Sequence, residues 1–482
     1  MSSLEELREE RLKKLNLLKE KGIDPYPARS GRDTAIVNLL ANFDEGKEVT
    51  IAGRVMALRR HGGSTFIDLY DGTGKIQGYL KEDALGAETF SLFDTTVDVG
   101  DFIDLTGTPG ETKRGEKSII ATGWRILAKS LRPLPEKWHG LQDTEERLRK
   151  RYLDILFNSD VHEMVEKRAV FWQAVREFML GKGFLEVETP TLELTTGGAE
   201  ATPFKTHHND FDLDVYLRIS IGELWQKRLM VAGFPRTFEI GRVYRNEGSS
   251  PEHLQEFTNM EFYAAYMDLD EGKRLTQELY REIASKVFGK TKFTTRGHTF
   301  DLADKWEDLD YVATVEKIAG VNVLDASEAE LMGGLRELGV EYEGESRERL
   351  TDALWKHCRR QISGPAFLVN HPKLVAPLSK GNPQDERLTV MFQVILAGSE
   401  LSRAHAELND PLDQRKRFEE QQKLIEGGDT EAMMPDWDYV EAMEYGMPPS
   451  FGLGVGDRLF AFLADKPIRE TQIFPLLKPK ND

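Results

Sequence analysis

The sequence predicts an α+β fold, in which a small β-barrel precedes a larger domain of helices and strands. From about residue 48 to residue 127, short alternating or apolar runs are separated by turn residues, which is typical of consecutive strands. From residue 161 onward, apolar residues recur at helical spacing. Between residues 236 and 263, two alternating runs flank a charged loop, which indicates a β-hairpin.

Length and composition are those of a soluble globular protein. The 482 residues suffice for two or three domains, and 40% are hydrophobic while 30% are charged. The single cysteine, Cys358, excludes an intrachain disulfide framework and fits a reducing compartment. Because the sequence has neither a long apolar run nor the apolar core of a signal peptide, we expect a cytoplasmic protein without membrane contact.

The net charge of −18 argues against a nonspecific coat on nucleic acid. Residues 111–151 nevertheless hold eleven Lys/Arg against six Asp/Glu, and further basic residues lie between positions 8 and 21. A local basic stretch on an acidic body is compatible with a specific, salt-sensitive RNA contact. The alternative for the N-terminal run is a solvated helix face, because glutamates are interleaved with it.

The N-terminal part, residues 1–130, is predicted as a helical extension (1–40) and a barrel (41–130). A charged helix over 2–21 ends at Gly22. The predicted strands are 49–58, 65–70, 75–80, 101–107 and 117–122. Five strands in about 80 residues favour a small barrel, an architecture that includes oligonucleotide-binding folds.

Pro133, Pro135 and many charges predict a linker over 131–152, followed by the second domain, 153–482. A long helix is predicted between Val161 and Met179, and a strand over 184–190 is closed by proline. The region of about 267–370 has mostly helical signals, clearest at 276–286 and 347–358, and carries no motif. A short apolar helix is predicted over 459–463.

The hairpin between 236 and 263 concentrates chemistry on one face, because side chains two apart along a strand point the same way. That face is predicted to carry Glu239, Val243, Arg245, Phe257, Asn259, Glu261 and Tyr263, and the other face Phe238, Ile240, Met260 and Phe262. A guanidinium matches phosphate or carboxylate oxygens with paired hydrogen bonds, and a phenyl ring can stack on a purine. The alternative is a surface hairpin held by salt bridges.

The hairpin, with its Arg245-Asn-Glu-Gly loop, resembles motif 2 of the class II aminoacyl-tRNA synthetases, and its ending Met260-Glu-Phe-Tyr-Ala-Ala-Tyr most resembles the lysyl-tRNA synthetases. Residues 161–190 resemble motif 1, and 444–463 resemble motif 3. Residues 53–60 with 71–77 look like the anticodon-binding OB domain of the lysine, aspartate and asparagine subclass. The resemblance implies an OB-type barrel, a catalytic domain of antiparallel sheet flanked by helices, and a homodimer joined through motif 1.

The resemblance also implies ATP-dependent activation of L-lysine to lysyl-adenylate, and its transfer to the 3′ end of tRNA(Lys). Joining two anions requires cationic clamps, and the catalytic residues would be Arg245 and Arg458. Arg245 would bridge the α-phosphate and the substrate carboxylate, while Arg458 would grip the γ-phosphate. Glu247 would meet the adenine amino group, His253 the pendant phosphates, and Phe257 would stack on adenine.

The remaining predicted site residues serve lysine, metal and tRNA. A buried ε-ammonium needs carboxylates around it, so an aspartate or asparagine enzyme would supply other groups. The lysine-binding residues implied are Glu223, Glu261, Tyr263, Arg403 and Glu407. Glu400 matches a Mg²⁺-binding position. The anticodon-binding residues implied are Arg59, Arg60, Phe66 and Gln77, with a core position as the alternative for Phe66.

Several positions depart from the family pattern. Gln393 stands where a second metal-binding Glu is usual, and Arg403 and His405 stand where Asn and an aromatic residue are usual. The segment before Glu223 is one residue longer, and motif 3 is one residue shorter. We hypothesise that Arg403 holds the substrate carboxylate. The alternative is that Arg403 pairs with Glu400 or Glu407.

Two other functions remain open. One is a catalytically silent, synthetase-like RNA-binding protein. The presence of all the predicted ATP-binding residues together argues against it. The other is an aspartate- or asparagine-specific enzyme of the same subclass.

Overall fold

The computed structural model describes residues 3–112, 115–135, 143–199, 201–342, 344, 346–376, 379–427 and 432–480. The chain divides into two compact units, Met1–Gln142 and Asp143–Asp482. The second unit thus begins inside the segment 131–152 that the sequence predicts as a linker, and that segment already contains the start of its first helices.

The first unit opens with the predicted helix, whose first turn is closed by a capping box between Ser3 and Glu6. The helices of this unit are α1 (Leu4–Glu20), α2 (Ile36–Ala41), α3 (Glu82–Leu85) and α4 (Ala87–Thr96). Its strands are β1 (Val49–His61), β2 (Ser64–Tyr70), β3 (Lys75–Lys81), β4 (Phe102–Glu111) and β5 (Lys117–Ala128). All five predicted strands are therefore present, and most run longer than predicted.

The five strands close into a barrel in the order β1-β2-β3-β5-β4. Strand β1 pairs antiparallel with both β2 and β4, while β3 and β5 pair in parallel. The alternate residues Ile51, Val55, Ile67 and Leu105 are fully buried inside it. The sequence interpretation missed α3 and α4 between the third and fourth strands, and Phe93 of α4 completes the barrel core.

The second unit combines many short strands with longer helices. Its helices are α5 (Thr144–Arg149), α6 (Arg151–Phe157), α7 (Ser159–Gly181), α8 (Glu223–Val231), α9 (Leu269–Ile283), α10 (Tyr311–Ala319), α11 (Glu328–Glu337), α12 (Arg347–Cys358), α13 (Pro411–Glu426), α14 (Trp437–Glu444) and α15 (Asp457–Leu463). Its strands are β6 (Leu185–Glu186), β7 (Leu192–Glu193), β8 (Lys205–His208), β9 (Leu213–Leu217), β10 (Arg236–Tyr244), β11 (Glu256–Ala265), β12 (Lys292–Thr295), β13 (His298–Asp301), β14 (Glu307–Asp310), β15 (Ala366–Val369), β16 (Met391–Leu396), β17 (Ser399–Ala406) and β18 (Ser450–Gly456).

The centre of this unit is a sheet of eight strands in the order β14-β15-β16-β17-β18-β11-β10-β6. The five inner pairings, from β15 to β10, are antiparallel as predicted. The two outermost pairings, β14 with β15 and β10 with β6, are parallel, so the sheet is mixed.

The sheet has one apolar and one polar face, as strand parity predicts. Phe238 lies opposite Phe262, and Ile240 lies opposite Met260. These residues pack against helices α7, α9 and α15 in the main hydrophobic core. The other face carries Glu239 opposite Glu261, and Val243 opposite Phe257, and it is free of that helical layer.

Two sequence interpretations of this unit need correction. The predicted strand over 184–190 shrinks to Leu185–Glu186, because the Thr189 N–H donates to the Glu239 carboxylate (3.0 Å) instead of to a strand. The supposedly helical region 267–370 also supplies β14 and β15 to the sheet edge. Each of these strands has only four residues, which is too short to show a reliable alternation.

In the part of the chain that the structure describes, no helix has both the length and the apolar character needed to span a membrane.

Candidate active site

A cavity of about 540 Å³ lies over the polar face of the large sheet. Helix α8, the β10–β11 hairpin with its loop, β17 and β18 supply most of its wall. The structure brings into it every residue predicted for ATP, lysine and metal: Glu223, Arg245, Glu247, His253, Phe257, Glu261, Tyr263, Glu400, Arg403, Glu407 and Arg458.

Glycines of β18 form the floor of this cavity. Gly452 and Gly454 lie opposite Tyr263 and Glu261 in the sheet. A Cβ atom on Gly452 would overlap both the Tyr263 ring and the Oε1 atom of Glu407. The glycine pattern of this segment therefore reflects close approach of side chains from neighbouring strands.

Arg245 and Phe257, both predicted to bind ATP, lie next to each other in the cavity wall. The guanidinium carbon of Arg245 lies 5.4 Å from the centroid of the Phe257 ring, and its Nε donates to the Ile219 carbonyl (3.2 Å). Burial lowers the pKa of Arg245, but a guanidinium stays charged at neutral pH. This end of the cavity thus offers a fixed cation beside an aromatic face.

Arg458 is the second residue of helix α15 and lines the cavity. The preceding residue, Asp457, is fully buried, and its Oδ2 accepts from Arg168 Nη2 (2.8 Å) and from the Thr258 N–H (2.9 Å). These bonds join α7, β11 and α15 and fix the base of Arg458. Its guanidinium is ion-paired with Glu252 of the hairpin loop. Burial is the main cause that lowers the pKa of Arg458.

The hairpin loop presents the two other predicted ATP residues. Glu247 is exposed, and His253 shares a hydrogen bond of 2.7 Å between its Nδ1 and the Ser250 hydroxyl. Desolvation and the Arg458 cation lower the pKa of His253, so its imidazole is neutral at pH 7.

Glu261 and Tyr263 line the amino-acid end. Glu261 Oε1 accepts from the Ile221 N–H (3.0 Å) and from Asn259 Nδ2 (3.0 Å), while Oε2 accepts from the Tyr263 hydroxyl (3.2 Å). Burial, followed by the nearby Glu223 carboxylate, raises the pKa of Glu261 to about 7. A cation bound in this pocket would therefore stabilise the ionised form of Glu261 and would be attracted to it.

The other two predicted lysine-binding carboxylates share a cation of the chain itself. Lys227 Nζ lies 2.6 Å from Glu223 Oε1 and 2.6 Å from Glu407 Oε2. Burial opposes the charge on Lys227, but Glu223 and Glu407 together raise its pKa well above the usual value.

Arg403 is hydrogen-bonded to Gln393 of the neighbouring strand, a contact that the sequence interpretation did not consider. With the Gln393 amide oxygen turned toward it, Arg403 donates from Nε (3.2 Å) and Nη2 (3.1 Å), and the Gln393 nitrogen donates to His371 (2.9 Å). Among the described residues, Arg403 forms no ion pair with Glu400 or Glu407. Gln393 and Arg403 both depart from the family pattern. They are hydrogen-bond partners and lie opposite each other in β16 and β17.

His405 lies two residues after Arg403 in the same strand and also lines the cavity. Its Nδ1 shares a hydrogen bond of 3.0 Å with the Ser379 hydroxyl. Burial and the Arg403 cation lower the pKa of His405 well below its usual value. Its imidazole is therefore neutral and adds an uncharged polar group to the cavity wall.

Glu400 reaches the cavity through a bulge in β17. In a regular strand, residues 400 and 403 would face opposite sides, but the register shifts between Gln393 and Ile395 and both face the cavity. Glu400 Oε1 accepts from the indole of Trp355. The described residues contain no group of three or more His, Cys, Asp or Glu placed to hold a metal ion.

On the barrel of the first unit, Phe66 forms a stacked pair with Tyr79, with ring centroids 4.4 Å apart and planes at 4°. Arg59 lies opposite Phe66 in the neighbouring strand, and Gln77 lies two residues before Tyr79 on the same face. Gln77 is buried and fixed by Glu116 (2.9 Å).

Arg60 does not join this group. It lies opposite the buried Thr65, on the other face of its strand, where it binds the Asp94 side chain of α4. Three of the four predicted anticodon residues therefore lie on one surface, and Arg60 lies apart from it.

Sequence reasoning missed three residues that shape these sites: Lys227, Glu252 and Tyr79. Lys227 follows Glu223 by four residues on a helix, a spacing that signals an ion pair but does not distinguish a surface pair from a buried one. Tyr79 shares strand parity with Gln77. Glu252 carried no signal, because its partners come from distant segments.

Comparison with known proteins agrees with this geometry. Residues 143–478 match the family of class II tRNA synthetases (D, K and N), and residues 49–127 match the OB-fold nucleic acid binding domain family. The chain belongs to the class II tRNA synthetases of this group.

Within that class, the similar curated proteins are lysine–tRNA ligases. The chain is 42% identical to the lysine–tRNA ligase of Thermotoga maritima, over 99% of this chain and 97% of the relative. It is also 42% identical to the enzyme of Roseiflexus sp. (strain RS-1), over 99% of this chain and 100% of the relative. A third relative, from Pelotomaculum thermopropionicum, is 42% identical over 99% and 96% of the two chains.

Proposed function

We propose that this protein is a lysine–tRNA ligase, which activates L-lysine with ATP and transfers the lysyl group to the 3′ end of tRNA(Lys). The observation that carries the proposal is the division of one cavity into two ends. Arg245, Phe257 and Arg458 equip one end for a nucleotide, and Glu223, Glu261 and Glu407 equip the other for a doubly cationic amino acid.

In the first step, a carboxylate oxygen of lysine attacks the α-phosphorus of ATP, and the bond to the β-phosphate oxygen breaks to release pyrophosphate. Arg245 interacts electrostatically with both Glu247 and Glu261, so its guanidinium can neutralise both the carboxylate and the α-phosphate. Phe257 offers its ring to adenine, and Glu247 can accept from the adenine amino group. In the second step, a terminal hydroxyl of the tRNA attacks the lysyl carbonyl and AMP leaves.

Arg458 and His253 serve the departing phosphates. Both line the cavity, and they are close enough for the Arg458 cation to lower the pKa of His253, so together they can bind the β- and γ-phosphates. The neutral imidazole of His253 can donate a hydrogen bond without adding charge.

The lysine end explains selectivity for a cationic side chain. Glu407 turns its Oε1 atom toward the cavity over Gly452, beside the Tyr263 ring. An aspartate or asparagine side chain would bring no cation to Glu261 or to the free oxygen of Glu407, whereas the lysine ε-ammonium would. Arg403, held by Gln393, is placed to assist Arg245 with the substrate carboxylate.

The residues of the cavity can hold Mg²⁺ only if phosphate oxygens of the nucleotide supply further ligands. Mg²⁺ is usually bound through one or two carboxylates plus phosphate oxygens and water, and Glu400 supplies one carboxylate whose second oxygen has no hydrogen-bond partner in the described part of the chain. The bound ion would neutralise phosphate charge. Gln393 is committed to Arg403 and His371, so we assign Glu400 alone as the protein ligand.

The barrel serves tRNA recognition in this proposal. Phe66 and Tyr79 form an aromatic platform on which an anticodon base can stack, and Arg59 and Gln77 border it. Anticodon binding by Arg60 has less support than that by the other three residues, because the Arg60 side chain already binds Asp94.

We also propose a homodimer joined through the motif 1 region, in the cytoplasm where translation takes place. The single chain exposes a set of apolar side chains along this region: Val170, Leu180, Leu185, Leu192 and Leu194. Exposed apolar residues clustered in this way are typical of an interface.

A charging assay tests the proposal, with purified protein, labelled lysine, ATP, Mg²⁺ and tRNA(Lys). Wild type should form lysyl-tRNA, and Arg245→Ala should lower the rate by on the order of 3 kcal/mol, or more than a hundredfold. Arg242→Ala is the matched control, because Arg242 precedes Arg245 by three residues, is exposed and does not line the cavity. Near-normal charging by Arg245→Ala would remove Arg245 from this role.

A further inference from the structure

Lys227 is a buried cation inside the amino-acid end of the cavity. It follows Glu223 by one turn of α8, is only 6% exposed, and lies with its Nζ 5.5 Å from the centroid of the Tyr263 ring. Its Nζ is 2.6 Å from one oxygen of Glu223 and 2.6 Å from one oxygen of Glu407. A single ammonium thus bridges two carboxylates that belong to different elements.

The second oxygen of each carboxylate faces the cavity. A Cβ atom on Gly198 would overlap Glu223 Oε2, and one on Gly452 would overlap Glu407 Oε1. Neither of these two oxygens has a hydrogen-bond partner among the residues that the structure describes. Lys227 therefore uses one side of each carboxylate and leaves the other side available to a ligand.

The buried carboxylates of this pocket need a nearby cation to stay charged. Glu223, Glu261 and Glu407 lie together with little access to water, and an uncompensated buried carboxylate protonates rather than remaining charged. A protonated carboxyl is a poor partner for an ammonium group. With Lys227 beside it, the pKa of Glu407 is lower than burial alone would make it, which favours the ionised form of this carboxylate.

We propose that Lys227 is a positioning residue for lysine recognition: its ammonium turns Glu223 and Glu407 so that their free oxygens receive the α-ammonium and the ε-ammonium of the substrate. This inference rests on the proposed function and deepens it. In this inference, Lys227 sets the distance between the binding positions of the α-ammonium and the ε-ammonium. That distance determines the length of the substrate side chain that fits.

The proposal has a pH signature at Glu407. The charged and titratable groups that face it are Lys227 and Glu223 of α8, Glu261 and Tyr263 of β11, Tyr439 of α14, and His405 of β17. Burial raises the pKa of Glu407, Lys227 lowers it, and Glu223 raises it. Without Lys227, the pKa of Glu407 rises further, so the ionised form that binds an ammonium is populated only at higher pH.

The experiment compares Lys227→Met with wild type in lysine-dependent pyrophosphate exchange, between about pH 6 and pH 9. We expect KM for lysine to rise on the order of tenfold or more, with kcat within about threefold and KM for ATP unchanged. The acidic limb of kcat/KM for lysine should move to higher pH. Lys227→Arg, which keeps the charge, should recover part of the affinity and the wild-type pH limb.

Lys129→Met is the matched control, because Lys129 is also buried and bridges two carboxylates, Asp98 (2.6 Å) and Asp101 (2.8 Å), but lies in the barrel. It should lower thermal stability without changing KM for lysine. If Lys227→Met does not fold, as judged by circular dichroism, Lys227→Gln is measured by the same criteria.

An unchanged or lower KM for lysine in a folded Lys227 variant would overturn the inference, because Lys227 would then be a structural ion or a competitor of the substrate. An acidic limb of kcat/KM that stays at the wild-type pH in a folded Lys227→Met variant would also overturn the inference, independently of KM. Failure of the wild type to exchange with lysine is a different outcome, which would overturn the proposed function itself.

Discussion

Arg458 and Glu252 form an ion pair at the phosphate end of the cavity, and the same carboxylate also binds Arg296. The arginine assigned to the γ-phosphate therefore already has an anion of the chain as a partner. A phosphate resembles a carboxylate in charge and geometry, so it competes with Glu252 for Arg458.

Removing this internal anion should strengthen ATP binding. Glu252→Gln should lower KM for ATP by roughly fivefold, because a partly buried ion pair worth about 1 kcal/mol no longer competes with the phosphate. KM for lysine should not change. Glu256→Gln, an exposed glutamate at the start of β11, is the control. A higher KM for ATP would show that Glu252 contributes to nucleotide binding instead of opposing it.

Arg403→Asn tests the clearest departure from the family pattern. Because Arg403 is held by Gln393 and not by a glutamate, its charge remains available to the substrate carboxylate. The variant should bind lysine more weakly by roughly 1 kcal/mol, with ATP affinity little changed. Arg387→Asn, at an exposed arginine outside the cavity, should be silent. If only the Mg²⁺ dependence changed, Arg403 would act by neutralising a neighbouring carboxylate.

Phe66→Ala should separate the two steps of the reaction. Base–aromatic stacking is worth about 1–3 kcal/mol, so charging of tRNA(Lys) should fall, while pyrophosphate exchange should stay close to wild type. The ring also stacks on Tyr79, so a small loss of barrel stability is expected. Equal losses in both assays would assign Phe66 to the core.

The homodimer is testable by light scattering at micromolar concentration. An obligate interface of this kind buries roughly 2,000 Å² or more, which predicts the mass of two chains. Changing Leu180 and Leu185 to Ser together should weaken the association. A monomeric mass for the wild type would contradict the proposed role of the motif 1 region.

The sequence was informative where a local pattern determines the structure. The alternation of Phe238 and Ile240 with polar residues predicted both faces of the hairpin, and their register confirms it. The five barrel strands were equally accessible, because turn residues separate them.

The remaining features depend on contacts between distant segments. Strands β14 and β15 are four residues long and exist because they extend a sheet already formed. The bulge in β17, which brings Glu400 and Arg403 to one face, leaves no local signal. Lys227 has a helical spacing to Glu223, but only the fold adds Glu407 as its second partner.

Pyrophosphate exchange into ATP without tRNA is the most direct test of the central claim, that this cavity activates lysine. Purified protein with Mg²⁺ should incorporate labelled pyrophosphate when lysine is supplied, and each of the other standard amino acids should give only background. Exchange that depends on aspartate or asparagine would contradict the assignment of the carboxylates to an ammonium group. Absence of exchange with every amino acid would support the alternative of a catalytically silent RNA-binding protein.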